Sequence, residues 1–472
     1  MKLVSLVLTI KLVSPTVDNF GLMGIAQQAV LSPWNWVVMN SSAYTAAAGA
    51  WVAFRATHVQ EAGLVLKPQA VAEPCMRLMV VLTRGRRDWP RRPAAHSTSR
   101  VLDVPMEGGS LWLARGLGGR STTVHVFVHS VSLDRSADRW GEANGGPPRC
   151  RLHVEAVLLG RGASLMSPPR PPALRILAMG DSITEGVGAA DNLHALLGGA
   201  STSTYAWELA ARLGASLSVV ANHHQGWGQA GRGGVPSFFT KDDAWAESGC
   251  GFGRLDASHV RWPSTTAAAG GVEESPPHLM LVNLGTNDWS AAVGEYSTRA
   301  RLRGAARERL YLWCSLVPSA FLAAASALLP STLTVLLVPF SGACRRFLAT
   351  AHRRHLATRP RDAKRAAAEP VLLDLGARAE EGLDPRALND SATTTCYSAQ
   401  RAPHSCDGIH PRAMRHRALG VLLARALTEA IAARIQAAGG CSRLSWPGEV
   451  CALARGARVE RTHERQARSE SE

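Results

Sequence analysis

Two rhythms of apolar and polar residues divide this chain. Up to about residue 165 the apolar positions come in short runs. Val124-His125-Val126-Phe127-Val128-His129 largely alternates, as a strand with one buried face does, and Leu152, Val154, Ala156 and Leu158 repeat the pattern. Leu78-Met79-Val80-Val81-Leu82 is a continuous apolar run of strand length. Glycines punctuate these pieces, at Gly108-Gly109 and at Gly116, Gly118 and Gly119. Short strands between such turns predict a β-sandwich. Ser167-Pro168-Pro169-Arg170-Pro171-Pro172 then reads as a stiff linker.

Beyond the linker, strands alternate with helices. Strands are expected at 174–179, 216–221, 278–284, 332–338 and 370–375, mostly as unbroken apolar runs, which is what parallel strands buried on both faces require. Helices are expected near 205–213, 299–314 and 343–355. A final helix over about 412–435 has Leu419, Leu422, Leu423, Leu427, Ile431 and Ile435 on one side. The alternation predicts an α/β fold, a three-layer α/β/α domain around a parallel sheet. The expected layout is a sandwich over 1–165, a linker over 166–173, the α/β domain over 174–440 and a tail over 441–472, with 236–276 and 376–406 as loops and insertions. A chain of 472 residues is too long for one ordinary core, which agrees with two domains.

From Leu312 to Gly342 there is no charge, a length that raises the question of a membrane helix. Pro318, Pro330 and Pro339 divide the run, so a buried helix around 320–329 and a strand at 332–338 are expected, and no stable membrane span. Met1 to Val13 is apolar, but Lys11 cuts the segment short and no small-residue cleavage site follows cleanly, so it outlines an incomplete secretory leader.

The formal charge is +15, from 52 Lys and Arg against 37 Asp and Glu. It is spread out, densest at Arg84, Arg86, Arg87, Arg91 and Arg92. No aromatic-interleaved basic stripe or zinc-finger spacing accompanies it, so the excess reads as solvated surface and no nucleic-acid partner is expected. Nine cysteines are scattered without a Cys-x-x-Cys pair, which argues against a zinc or thioredoxin-type site. Cys396 with Cys406, and Cys441 with Cys451, could close short loops in an oxidising compartment. Asn40-Ser41-Ser42 and Asn389-Asp390-Ser391 match the glycosylation sequon. His223 and His224 lack a partner cluster at metal spacing and read as loop histidines. No motif implies a cofactor or a metal.

Three motifs carry candidate chemistry. Gly180-Asp181-Ser182-Ile183 follows the first α/β strand, an arrangement in which a tight turn can present a serine hydroxyl as a nucleophile. Gly285-Thr286-Asn287-Asp288 follows the third strand, and Asp407-Gly408-Ile409-His410-Pro411 precedes the last helix. Serine needs a base, and His410 can take its proton and later protonate the leaving group. Asp407, three residues earlier, can reach the other ring nitrogen and fix the tautomer. The backbone N–H groups of Ser182 and a close-approaching glycine, with the Asn287 side-chain amide, can hold an oxyanion. In the block from Asn222 to Gly231, Gly226 lies nearest the strand end and is the preferred glycine, with Gly228 and Gly231 as alternatives. Ser182, Gly226 and Asn287 all fall just past the carboxyl ends of strands, the edge where open parallel sheets bind ligands.

The set Gly180-Asp181-Ser182, a glycine block, Gly285-x-Asn287-Asp288 and Asp407-x-x-His410 resembles the SGNH (GDSL-type) hydrolase superfamily, over roughly residues 173–437. Ile183 stands where the commonest family motif has leucine, and two histidines replace small residues in the glycine block. The order of β-rich part, Pro-rich linker and serine motif resembles carbohydrate esterase family 2, which couples a jelly-roll domain to an SGNH domain and removes acetyl groups from sugars. The resemblance implies a serine esterase acting on an acetylated sugar or polysaccharide. Two rivals stay open: an esterase of lipids or small esters, and a carbohydrate-binding protein without catalysis.

Overall fold

The N-terminal apolar runs become two antiparallel sheets in a computed structural model of the chain. It describes residues 25–33, 35–39, 41–84, 98–132, 149–187, 189, 200–229, 276–294, 302, 304–339, 342–359, 369–374, 413–441, 448 and 450–453. After a short helix α1 (Ile25–Gln28), the strands in chain order are β1 (Val30–Leu31), β2 (Val37–Val38), β3 (Ala43–Thr45), β4 (Trp51–Thr57), β5 (Glu61–Leu66), β6 (Met76–Arg84), β7 (Thr98–Asp103), β8 (Gly109–Arg115), β9 (Thr122–Val131), β10 (Leu152–Leu159) and β11 (Ser164–Leu165). One sheet runs β1-β4-β9-β6-β7, with β11 also on β4, and the other runs β2-β3-β10-β5-β8. Val52, Phe54, Leu64, Leu78, Val126 and Leu152 fill the space between them. A disulfide, Cys75–Cys150, lies in that core.

The second half forms the parallel sheet that its apolar runs predict. Strands β12 (Arg175–Gly180), β13 (Ser216–Ala221), β14 (Leu279–Asn283), β15 (Leu333–Val338) and β16 (Val371–Asp374) lie in the order β13-β12-β14-β15-β16. Successive residues point to opposite faces of a strand. Ile176, Ala178, Leu217, Leu279 and Val335 therefore enter one core, and Leu177, Met179, Met280 and Val282 the other. Helices α3 (Tyr205–Leu213) and α8 (Ala413–Ala437) cover the first face, through Leu209, Leu419, Leu423 and Leu427. Val450 and Cys451 join this core, and Cys451 forms a disulfide with Cys441. Cys396 and Cys406 lie outside the described residues, as do the two sequon asparagines, Asn40 and Asn389.

The other face is covered by a longer helical stretch than the sequence suggests. It consists of α5 (Gly304–Tyr311), a π-helical turn (Leu312–Leu316) and α6 (Val317–Leu328), with α7 (Arg345–Thr358) beside it. Pro318 does not break it, because Pro318 directly follows the π-helical turn, where the backbone hydrogen-bond ladder is already shifted. Gly304–Ala327 is long and apolar enough to cross a membrane by length and composition. Its Leu310, Cys314, Phe321 and Leu322 are buried in the core beneath the sheet.

The sandwich closes one edge of the parallel sheet. Strand β13 is the edge strand, and the outward carbonyls of such a strand need partners. Trp51 Nε1 donates to Leu217 O (2.8 Å) and Asn35 Nδ2 donates to Val219 O (2.7 Å), both from the sandwich. Phe127 meets Trp207 of α3 edge-on, with centroids 4.7 Å apart. Strand β9, read from sequence as buried on one face, is thus buried on both: Val124 and Val126 enter the sandwich core, and Phe127 meets the α/β domain.

Candidate active site

The parallel register decides which turns meet. Gly180 at the end of β12 pairs with Ala221 of β13 on one side and with Asn283 of β14 on the other. The chain therefore leaves three adjacent strands at one edge. Ser182, the loop 222–229 and Asn287 are brought together there. Asp181 is the N-cap of the short helix α2 (Ser182–Glu185), its carboxylate accepting the Ile183 N–H at 3.0 Å. Capping thus falls to Asp181 and not to Ser182. The first N–H groups of a helix have no partner within it, so the Ser182 N–H is of the kind an oxyanion can use.

The loop after β13 is held by a series of hydrogen bonds. Asn222 N–H donates to Gly180 O (3.2 Å), and Gln225 N–H donates to Asn222 O (3.2 Å), closing a turn with His224 at φ +59°. Helix α4 (Thr286–Val293), which follows β14, clamps the next residues. Asp288 accepts the N–H groups of Trp227 (2.7 Å), Gly228 (2.8 Å) and Gln229 (2.9 Å). Burial holds its carboxyl pKa above the usual carboxylate value, and these N–H groups offset part of that rise. Asn287 Nδ2 donates to Gln225 O at 3.0 Å. A side chain on Gly226 would put its Cβ 2.6 Å from the Asp288 carboxylate, and one on Gly228 would put it 2.0 Å from the Trp313 ring, so close approach requires glycine at both. Gly226 N–H, the donor expected to face an oxyanion, donates to Gln229 O at 2.9 Å in this conformation. Trp227 is buried against Phe321.

Asp407 and His410 lie outside the described residues. The helix that follows them, α8, is described from Ala413 and is tied to α2. His416 Nδ1 accepts the Tyr205 N–H (3.2 Å), its ring stacks on Tyr205, and the Tyr205 hydroxyl shares a hydrogen bond with Thr184 Oγ1 at 2.8 Å. Burial pushes the Tyr205 hydroxyl's pKa up, so it stays protonated. A second unforeseen contact is between His223 and Glu185, whose Nδ1 and Oε2 lie 2.5 Å apart with both side chains buried. Sequence spacing offered one hint: Glu185 lies one helical turn from Ser182, whereas its partner comes from the loop after β13. Among the described residues no three His, Cys, Asp or Glu side chains are grouped to hold a metal ion.

No protein-family model matches the chain, and no curated protein does. Solved structures do. A family 2 carbohydrate esterase from Clostridium thermocellum, in complex with cellohexaose, aligns over 85% of this chain and 99% of its own, at a TM-score of 0.53 and 13% identity. An acetyl xylan esterase from Butyrivibrio proteoclasticus aligns over 86% and 96%, at 0.54 and 14%. A family 2 carbohydrate esterase from Cellvibrio japonicus aligns over 85% and 95%, at 0.51 and 12%. The chain thus shares its fold with these solved structures, two antiparallel sheets joined to an α/β domain around a parallel sheet.

Proposed function

We propose that this chain is a serine esterase that removes O-acetyl groups from carbohydrate through an acyl-enzyme formed on Ser182. The observation that supports this most is the meeting of Ser182, the Gly226 loop and Asn287 at the carboxyl edge of three adjacent strands. The shared architecture with esterases of acetylated polysaccharide points the same way. In the proposed reaction His410, oriented by Asp407, takes the Ser182 proton as Oγ attacks the acetyl carbonyl. The oxyanion is held by the N–H groups of Ser182 and Gly226 and by the Asn287 amide. Gly226 then exchanges its bond to Gln229 O for the oxyanion, while Asn287, with two amide hydrogens, can keep its bond to Gln225 O. His410 protonates the leaving sugar hydroxyl, and water resolves the acyl-enzyme by the same steps. No metal or cofactor takes part.

Labelling with a fluorophosphonate tests the nucleophile. The parent protein should react, and Ser182→Ala should neither react nor hydrolyse p-nitrophenyl acetate. An unreactive parent protein would mean a carbohydrate-binding role. The acyl group is tested by chain length: acetyl esters should turn over at least about tenfold faster than octanoyl esters, because overpacking a small pocket costs roughly 1–3 kcal/mol. A preference for octanoyl would favour lipid or other esters.

A further inference from the structure

We propose that Glu185 and His223 form a positioning dyad that sets the spacing between the two backbone N–H donors of the oxyanion pocket, those of Ser182 and Gly226. The proposal rests on Ser182 being the nucleophile. Glu185 closes the four-residue helix that Ser182 opens, so the two move as one body, with the Gly186 N–H bonded to Ser182 O. His223 lies two residues beyond the end of β13 and three before Gly226. Gly180 pairs with Ala221, and the Asn222 N–H donates to Gly180 O, so the loop carrying His223 starts beside the turn that carries Ser182. The 2.5 Å contact between Nδ1 and Oε2 therefore bridges the helix of one donor and the loop of the other.

The chemistry of the pair fits a fixed strut. A carboxylate only accepts, so with Glu185 ionised His223 Nδ1–H is the donor and the ring orientation is fixed. Nε2 is buried without a hydrogen-bond partner among the described residues. Glu185 is fully buried and His223 is 6% exposed. A buried carboxylate–histidine pair contributes little net stability against apolar substitutes, so its worth lies in fixing geometry. The loop needs fixing. His224 takes a left-handed backbone at φ +59° that favours glycine, and such strain persists only where the surroundings over-determine it. Asn287 and Asp288 hold the loop from the β14 side. The dyad holds it from the β12 side, which is the side of the nucleophile.

The test compares fluorophosphonate labelling rate, kcat and KM for p-nitrophenyl acetate, and thermal midpoint, in the parent protein, His223→Ala, His223→Gln and Glu185→Gln. Misplacing a catalytic group by about 1 Å can cost on the order of 100-fold. His223→Ala should lower kcat and the labelling rate roughly 30- to 100-fold with KM within about threefold. His223→Gln, whose amide can still donate to Glu185, should recover to within about tenfold of the parent protein. If His223→Ala does not fold, the isosteric Glu185→Gln decides, with at least about a tenfold loss in kcat expected. Parent-like kcat in folded His223→Ala or Glu185→Gln, a loss confined to KM, or no recovery in His223→Gln overturns the dyad. If the parent protein itself is not labelled, it is the esterase assignment that fails, and the dyad's role in it falls with it.

Discussion

The two edges of the parallel sheet are built differently. At one edge all six residues of β13 are buried, and the sandwich supplies Trp51 and Asn35 to its outward carbonyls. At the other edge β16 has four residues, with only Leu373 buried, and its end is met by Arg345, bonded to Asp374. The candidate site lies beside the covered edge, since β13 leads directly into the Gly226 loop. An uncovered edge strand is free to fray and to pair with other chains. The contrast suggests that the sandwich is a buttress for the oxyanion loop as well as any sugar contact it makes.

Trp51→Ala should break the contrast most. It removes a buried indole and leaves Leu217 O without its donor, costing about 3–5 kcal/mol of stability, and kcat should fall with it. A denaturation midpoint and kcat close to the parent protein's would show that the edge does not depend on the sandwich. Gly226→Ala strikes the loop itself, where the new methyl meets the Asp288 carboxylate. Esterase turnover should fall roughly 100-fold or more, the usual effect of losing one oxyanion donor. Parent-like turnover would leave the pocket's glycine to Gly228 or Gly231.

Acid should loosen the same interface. His125 of β9 stacks alongside Phe127, and burial, helped by Arg55, lowers its pKa from 6.5 to about 3. The unfolded chain takes up the proton first, so this contribution to stability is whole above pH 6.5 and is lost as the pH falls from 6.5 towards 3. The slope is about 1.4 kcal/mol per pH unit inside that window. His125→Leu should flatten this part of the stability–pH curve, and an unchanged slope would remove His125 from the account. The smallest effect is expected at the far edge. Arg345→Ala breaks an ion pair whose arginine is half exposed, and should cost under about 1 kcal/mol with kcat unchanged. A kcat loss there would show that both edges support the site.

Much of this was legible in the chain itself. Parallel strands buried on both faces are mostly apolar, so β12, β14 and β15 stand out as near-continuous runs, while β13 keeps its sequence-implied bounds although Ser216 and Ser218 are buried in it, and α3 keeps its bounds too. The serine, glycine and asparagine motifs follow strand ends, so their meeting at one edge needs only the sheet order. The exceptions share one cause. The long helix from Gly304 crosses Pro318 because a π-helical turn just before the proline shifts the backbone ladder, which local composition does not reveal. Strand β9 alternates locally, yet both its faces are buried, because what covers the second face is a helix from the other domain. The Asp288 clamp and the Glu185–His223 contact join segments that follow different strands, which no local spacing reveals. Asp407 and His410, named from the sequence as acid and base, lie outside the described residues. The sequence by itself determined the elements and the residue types of the site, because propensity and periodicity are local. Only the tertiary structure decided which faces are buried and which loops clamp one another, because those depend on contacts between segments far apart in the chain.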